Sequence, residues 1–365
     1  MDQSKRIEYI DTAKFIGIIL VIFAHCLEGG PIVPYIYSFH LPLFFVINGL
    51  TFRIKENDNF GSFLVRKIKS YVIPILFLGI FCIIFDALFS NVSLNFTYFM
   101  DRFIELIIQR RVFALWFVGA LFCSDLLFYF VLKVSKQKLL FTIITSLIFL
   151  AIAIVFNIAY PKSLPWNFDV SLFGVFFVSL GYIFKRKELE NVYNFCIKKR
   201  LYSLLIGCLS LTIGLLLEYI NYKHFNLHLE MWGLQYQKYY LVIPSAIFGS
   251  FGIILISNAI TNKVFGELGK TTLVLLAFHQ TLSMPLFKND LFPEWYSYIN
   301  SLPKSDINHP LFALVETLFS LVMLLPIHYL IIYSPLAICL NQKIKPFWSK
   351  IINKVFGKEK SQESL

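Results

Sequence analysis

Ile10-Asp-Thr-Ala-Lys-Phe-Ile-Gly-Ile-Ile-Leu-Val-Ile-Phe-Ala-His-Cys-Leu27 and, beyond a Gly29-Gly30-Pro31 turn, Tyr35-Ile-Tyr-Ser-Phe-His-Leu-Pro-Leu-Phe-Phe-Val-Ile-Asn-Gly-Leu-Thr-Phe52 decide how this chain folds. Each stretch is close to the roughly 20 apolar residues that a helix needs to cross a bilayer. The turn between them is too short for anything but a hairpin. His25 lies near the end of the first stretch and His40 near the start of the second, so the hairpin brings both imidazoles to one end. Ionisable side chains inside a membrane are costly unless paired or hydrated, and they mark functional positions. Imidazole is also the side chain best suited to proton transfer near neutral pH.

Working outward, the 365 residues are 57% hydrophobic and 15% charged, where a soluble domain averages about 25% charged. Mean hydropathy is +0.68. The expectation is an all-α, polytopic membrane helix bundle of about ten transmembrane helices, near 10–27, 34–52, 70–90, 112–132, 138–159, 170–185, 200–220, 239–258, 272–288 and 310–340. Of the 33 Lys and Arg residues, 24 fall in alternate segments that include both termini, and eight fall in the intervening loops. Positive charge marks the cytoplasmic side, which predicts both termini in the cytoplasm. It also assigns the net charge of +11 to the membrane rather than to nucleic acid. Residues 1–342 read as one integral-membrane domain and 343–365 as a basic cytoplasmic tail. The first segment contains Asp11 and Lys14 and leads at once into another span, so it reads as a retained helix rather than a cleaved signal. The six Cys residues are scattered without a C-x-x-C pair, so neither a disulfide framework nor a metal site is expected.

Lys14 and His25 are eleven residues apart, which on a helix places them on one face about 16 Å apart. A snorkelling lysine and an interfacial histidine would look the same from this helix alone, but His40 at the same membrane end favours chemistry. Asn48-Gly49 sets a polar amide beside a site of close backbone approach. Arg66-Lys67-Ile68-Lys69-Ser70-Tyr71 is a positive-inside anchor in its simplest reading. Arg66 and Lys69, at i and i+3, would also suit a phosphate. Cys26 adjoins His25, but consecutive helical residues point about 100° apart, so a packing role is favoured over an acyl-enzyme. Aromatic residues in the connections fit an interfacial belt, with a sugar-stacking platform as the alternative. His224, His228 and His309 read as surface or interfacial.

These residues resemble those of acyltransferase family 3, the membrane O-acyltransferases, and within it the branch described as fucose 4-O-acetylase-like. Lys14 and His25 match the family's basic residue, ten residues, histidine motif, with Lys where Arg is commoner. His40, Pro42, Phe44-Phe45 and Asn48-Gly49 match its second-helix pattern, and Arg66, Lys69, Tyr71 and Pro74 its basic pair. Ala114–Phe122, including Trp116, and the late Gly-x-x-Thr…His segment ending at His279 extend the likeness from Tyr9 to about Gln280.

The resemblance implies transfer of an acetyl group from cytosolic acetyl-CoA to a hydroxyl of a cell-surface glycan or lipid-linked sugar. Acetyl-CoA would serve as co-substrate, with no permanently bound cofactor and no metal, in a multi-pass protein of the cell membrane. His25 is expected as the catalytic base, with His40 beside it. Lys14, Arg66 and Lys69 are expected to bind the donor, and Asn48, Trp116 and His279 to line the substrate site. The rival reading is a transporter of a glycan or lipid-linked sugar, which commonly shows inverted repeats; no repeat is evident.

Overall fold

The computed structural model describes residues 8–55, 59–89, 93, 95–226, 228–234, 236 and 238–342. The proposed tail, 343–365, lies outside the described residues. Among those described there is no strand, and nine helices are long and apolar enough to cross a membrane. The expected all-α bundle is therefore observed. The bounds fall close to the hydropathy reading except that the third helix starts ahead of 70, at Phe60, the last ends at Ile332 rather than 340, and 272–288 is not one helix. There the chain is helical only over Thr272–Phe278, then passes through π-helical turns at His279–Ser283 and Leu286–Leu291. Pro285 between the two turns lacks an amide donor and cannot continue an α-helical ladder.

In chain order the helices that position the site are α1 (Glu8–Leu27), α2 (His40–Thr51), α3 (Phe60–Phe89), α4 (Phe96–Ile108), α5 (Trp116–Val134), α6 (Leu139–Ala159), α7 (Phe168–Phe184), α8 (Arg200–Phe225), α9 (Tyr239–Ile260), α10 (Thr272–Phe278) and α11 (Asn308–Ile332). A five-residue helical turn, Val33–Tyr37, precedes α2. Asn59 and Asn95 cap α3 and α4, each accepting from a backbone amide three residues on at 2.8 Å, which satisfies an otherwise orphaned donor. Within α3 the π-helical turn Ile68–Val72 re-aims the basic run, as such turns do at functional sites.

Helices α1, α2, α5 and α7 form the interior, while α6 and α8 keep most of their apolar surface on the outside of the bundle. The tightest crossing is between α2 and α7. A Cβ on Gly49 would lie 1.9 Å from the carbonyl oxygen of Val178, and one on Gly181 2.0 Å from that of Val46. Backbone-to-backbone packing of this kind is how membrane helices gain contact without a hydrophobic driving force. It locks the helix carrying His40 and Asn48 against the bundle.

Candidate active site

His25 is in the last turn of α1, and its surroundings come from both ends of the chain. The His279 ring lies with its centroid 5.2 Å away, and the Gln280 amide Nε2 donates to His25 Nδ1 at 3.1 Å. On the other side Tyr37 is 6.4 Å from His25 and 4.9 Å from His40, centroid to centroid. The π-helical turn at His279–Ser283 starts at this contact. Its wider winding presents His279 and Gln280, adjacent in sequence, to the same imidazole.

The hydrogen bonds assign the tautomers. His40 Nδ1 donates to the carbonyl of Ile36 at 3.0 Å, and a carbonyl can only accept. The neutral ring therefore holds its proton on Nδ1, and Nε2, on the far side, is a lone pair. His279 is set the same way by Leu275 and Leu276; its Nε2 is buried without a hydrogen-bond partner among the described residues. His25 differs: accepting at Nδ1 from Gln280, its neutral ring carries the proton on Nε2. One imidazole is thus set as an acceptor and the other as a donor at the same site.

Both rings line a cavity of about 380 Å³, walled also by Trp116, Phe117, Leu276 and Arg111. Arg111 is held by Asp169 at 2.5 Å and Asn167 at 2.5 Å, and lies over the Trp116 ring at 5.1 Å. Its Nε donates to the carbonyl of Trp232 at 2.9 Å. This pins the α8–α9 connection across the His25 end of the cavity. A second cavity of about 440 Å³ adjoins at that end, sharing His25, Tyr37 and Glu230 as walls. A third of about 310 Å³ adjoins on the opposite side through Val21, Leu41, Phe117 and Leu276, and reaches Lys14, Asn48, Tyr71 and Lys270.

At that Lys14 end a buried ion pair organises three helices. Asp125, fully buried on α5, accepts from Lys67 Nζ at 2.5 Å, Asn48 Nδ2 at 2.8 Å and the Tyr71 hydroxyl at 2.9 Å. Lys14 pairs with Asp11 at 3.2 Å, and Gly269 allows its segment to pack directly on the Asp11 backbone.

The structure therefore brings together His25, His40, Trp116 and His279 at one level, and Lys14 and Asn48 at another. Arg66 and Lys69 lie on the adjoining part of α3, Arg66 over the Phe63 ring at 5.3 Å and Lys69 exposed. Lys67, between them in sequence, turns inward instead.

Gln280, Tyr37, Arg111, Asp169, His228 and Glu230 were not singled out for the site by sequence. Tyr37 lies three residues before His40, where a helical turn would place it beside that ring. A buried Arg–Asp pair between a loop and the first turn of α7 has no comparable local signal. His228, expected at the surface, forms part of a cavity wall, with its ring 5.8 Å from Tyr37; burial lowers its pKa from the ordinary imidazole value.

A polytopic helix bundle with an imidazole cluster on the wall of an internal cavity, adjoined by further cavities on both sides, defines a membrane protein built for chemistry on groups brought into its interior. A family model described as an acyltransferase domain, that of acyltransferase family 3, matches residues 7–341. The chain belongs to that family and is a membrane acyltransferase. No curated protein and no solved structure matches it.

Proposed function

We propose that the protein transfers an acetyl group from acetyl-CoA to a hydroxyl of a cell-surface carbohydrate or lipid-linked sugar. The observation that carries this reading is the run of adjoining cavities from Lys14 to His25, with His40 and His25, set as acceptor and donor, lining the central one. With the Lys14 end cytoplasmic, acetyl-CoA enters there. Its phosphates meet Lys14, Lys270 and the Arg66/Lys69 face, and its pantetheine arm runs past Asn48 and Phe117 to place the thioester beside His25. The acceptor comes from the opposite side.

The acceptor oxygen attacks the thioester carbonyl carbon, and collapse of the tetrahedral species breaks the carbon–sulfur bond. His40 Nε2 takes the hydroxyl proton. His25 Nε2–H donates to the carbonyl oxygen as negative charge develops there, the position at which a preformed donor is most effective. The proton then passes to the departing sulfur, and CoA leaves as the thiol. In this proposal the base is His40 rather than His25, the residue the sequence suggests, because the Gln280 hydrogen bond engages the His25 Nδ1 lone pair.

The test uses purified full-length protein in nanodiscs with labelled acetyl-CoA and surface glycan extracts. CoA release coupled to an acetyl ester on the glycan is expected, and His25→Ala lowers its rate by about 10²–10³-fold. Glycan movement across the bilayer with no acetylated product would favour the transporter reading instead.

A further inference from the structure

The connection between α8 and α9 does more than close the cavity. Leu229 and Met231 are 2% exposed and anchor it inward. Arg111 donates to the carbonyls of Met231 and Trp232, Asn157 donates to that of Leu234 at 3.3 Å, and Tyr236 stacks on Phe173 with centroids 4.1 Å apart and planes 9° from parallel. Held at these points, the described residues 228–234 and 236 form a wall of the cavity.

Glu230 is half-buried in that wall and lines both the central cavity and the one adjoining it at the His25 end. Its carboxylate makes no hydrogen bond and no ion pair among the described residues, and its field acts on Tyr37 and His228. Other carboxylates at this end have cationic partners: Asp169 pairs with Arg111, and Glu28 with Lys288, with the Tyr296 hydroxyl also donating to Glu28. Lys288 further faces the buried Glu316 at 3.5 Å. Among the described residues Glu230 is therefore a carboxylate with no cationic partner, placed where the two cavities adjoin.

A carboxylate with free lone pairs is a strong acceptor for hydroxyl donors and stronger still for an ammonium group. Against a second anion in a site that excludes water it is repulsive, and such repulsion is an effective basis of selectivity. Tyr37 on one side and Trp232 on the other supply flat apolar surface beside it, which suits the apolar face of a pyranose.

We propose that residues 228–232 are the acceptor-selecting element of the site, and that Glu230 restricts the sugar ring bound there to one that is uncharged or carries an ammonium group, rejecting uronic acids and sugar phosphates. The inference rests on the acetyl-transfer reading and names the class of acceptor that reading leaves open.

The experiment compares three probes that share one ring: methyl glucoside, methyl glucosaminide and methyl glucuronide. Each is offered with acetyl-CoA to the full-length protein in nanodiscs, and acetylated product is read by mass spectrometry. For the wild type, kcat/KM is expected to be at least about tenfold higher for glucoside and glucosaminide than for glucuronide. Glu230→Gln should narrow that ratio, and Glu230→Lys should invert the order of glucosaminide and glucuronide. Each ratio is taken within one preparation, so partial loss of folded protein cancels. Wild-type acceptance of glucuronide equal to that of glucoside overturns the proposal, as do ratios unchanged by both substitutions. Hydrolysis of acetyl-CoA with none of the three probes acetylated also overturns it. Absence of both acetyl-CoA binding and hydrolysis refutes the acetyl-transfer reading itself, a distinguishable result.

Discussion

Replacing Lys67 by Met tests whether the inner end of the site is held by a buried ion pair. Met keeps the length and apolar stem of the lysine but removes its charge. Asp125 would then keep Asn48 and Tyr71 as donors with no ion-pair partner among the described residues, in a position that is fully buried. Removing one partner of such a pair costs about 3–5 kcal/mol, whereas neutralising both is close to neutral. Lys67→Met is therefore expected to destabilise by about 3 kcal/mol or more. Asp125→Asn alone should cost less, because Lys67 is 14% exposed and can turn its ammonium towards solvent. The double variant keeps an amide oxygen for Asn48 and Tyr71, and should recover most of the loss, a coupling of about 2–3 kcal/mol. Denaturant unfolding in mixed micelles, followed by tryptophan fluorescence, gives the four free energies of the cycle. Additive losses, or a Lys67→Met variant within about 1 kcal/mol of wild type, would refute the argument. If Lys67 instead binds donor phosphate, its replacement would raise the KM for acetyl-CoA and leave unfolding unchanged.

The remaining predictions concern catalysis, the donor path and packing. His40→Gln should lower kcat by about 10²–10⁴ through loss of the base, and His25→Gln by about 10²–10³ through loss of the oxyanion donor, with acetyl-CoA binding measured separately for each. A His40 variant at the wild-type rate would remove it from the mechanism. Lys14→Gln should raise the KM for acetyl-CoA several-fold with little change in kcat, measured by CoA release; an unchanged KM would place the phosphates elsewhere. Gly49→Ala should destabilise by about 1–3 kcal/mol or more, seen as a lowered thermal midpoint, because its methyl group would meet the Val178 carbonyl at 1.9 Å. An unshifted midpoint would mean that the α2–α7 crossing is not as close as described. Arg111→Lys should weaken acceptor use more than donor use, since lysine cannot make the forked contacts to Asp169, Asn167 and Trp232.

Hydropathy and charge order are local properties, so the spans from Glu8 to Ile260 and the His25/His40 hairpin could be read directly. So could the shared face of Lys14 and His25, because helical periodicity fixes it. The segment after Thr272 has the apolar composition of one more span. Its π-helical turns depend on Pro285 and on meeting α1, which composition does not encode. The basic run was legible as a run, but which of its members turns inward depended on Asp125, 58 residues away.

By itself, the sequence determined a polytopic helix bundle with two imidazoles at one membrane end and a lysine three turns below, because apolar length and helical pitch act over neighbouring residues. Only the tertiary structure decided what those imidazoles meet. Gln280, 255 residues from His25, supplies the hydrogen bond that sets its tautomer, and the Arg111–Asp169 clamp places Glu230 over the cavity. Such contacts arise from the packing of distant helices, where a partner is selected by proximity in space and leaves no periodic trace along the chain.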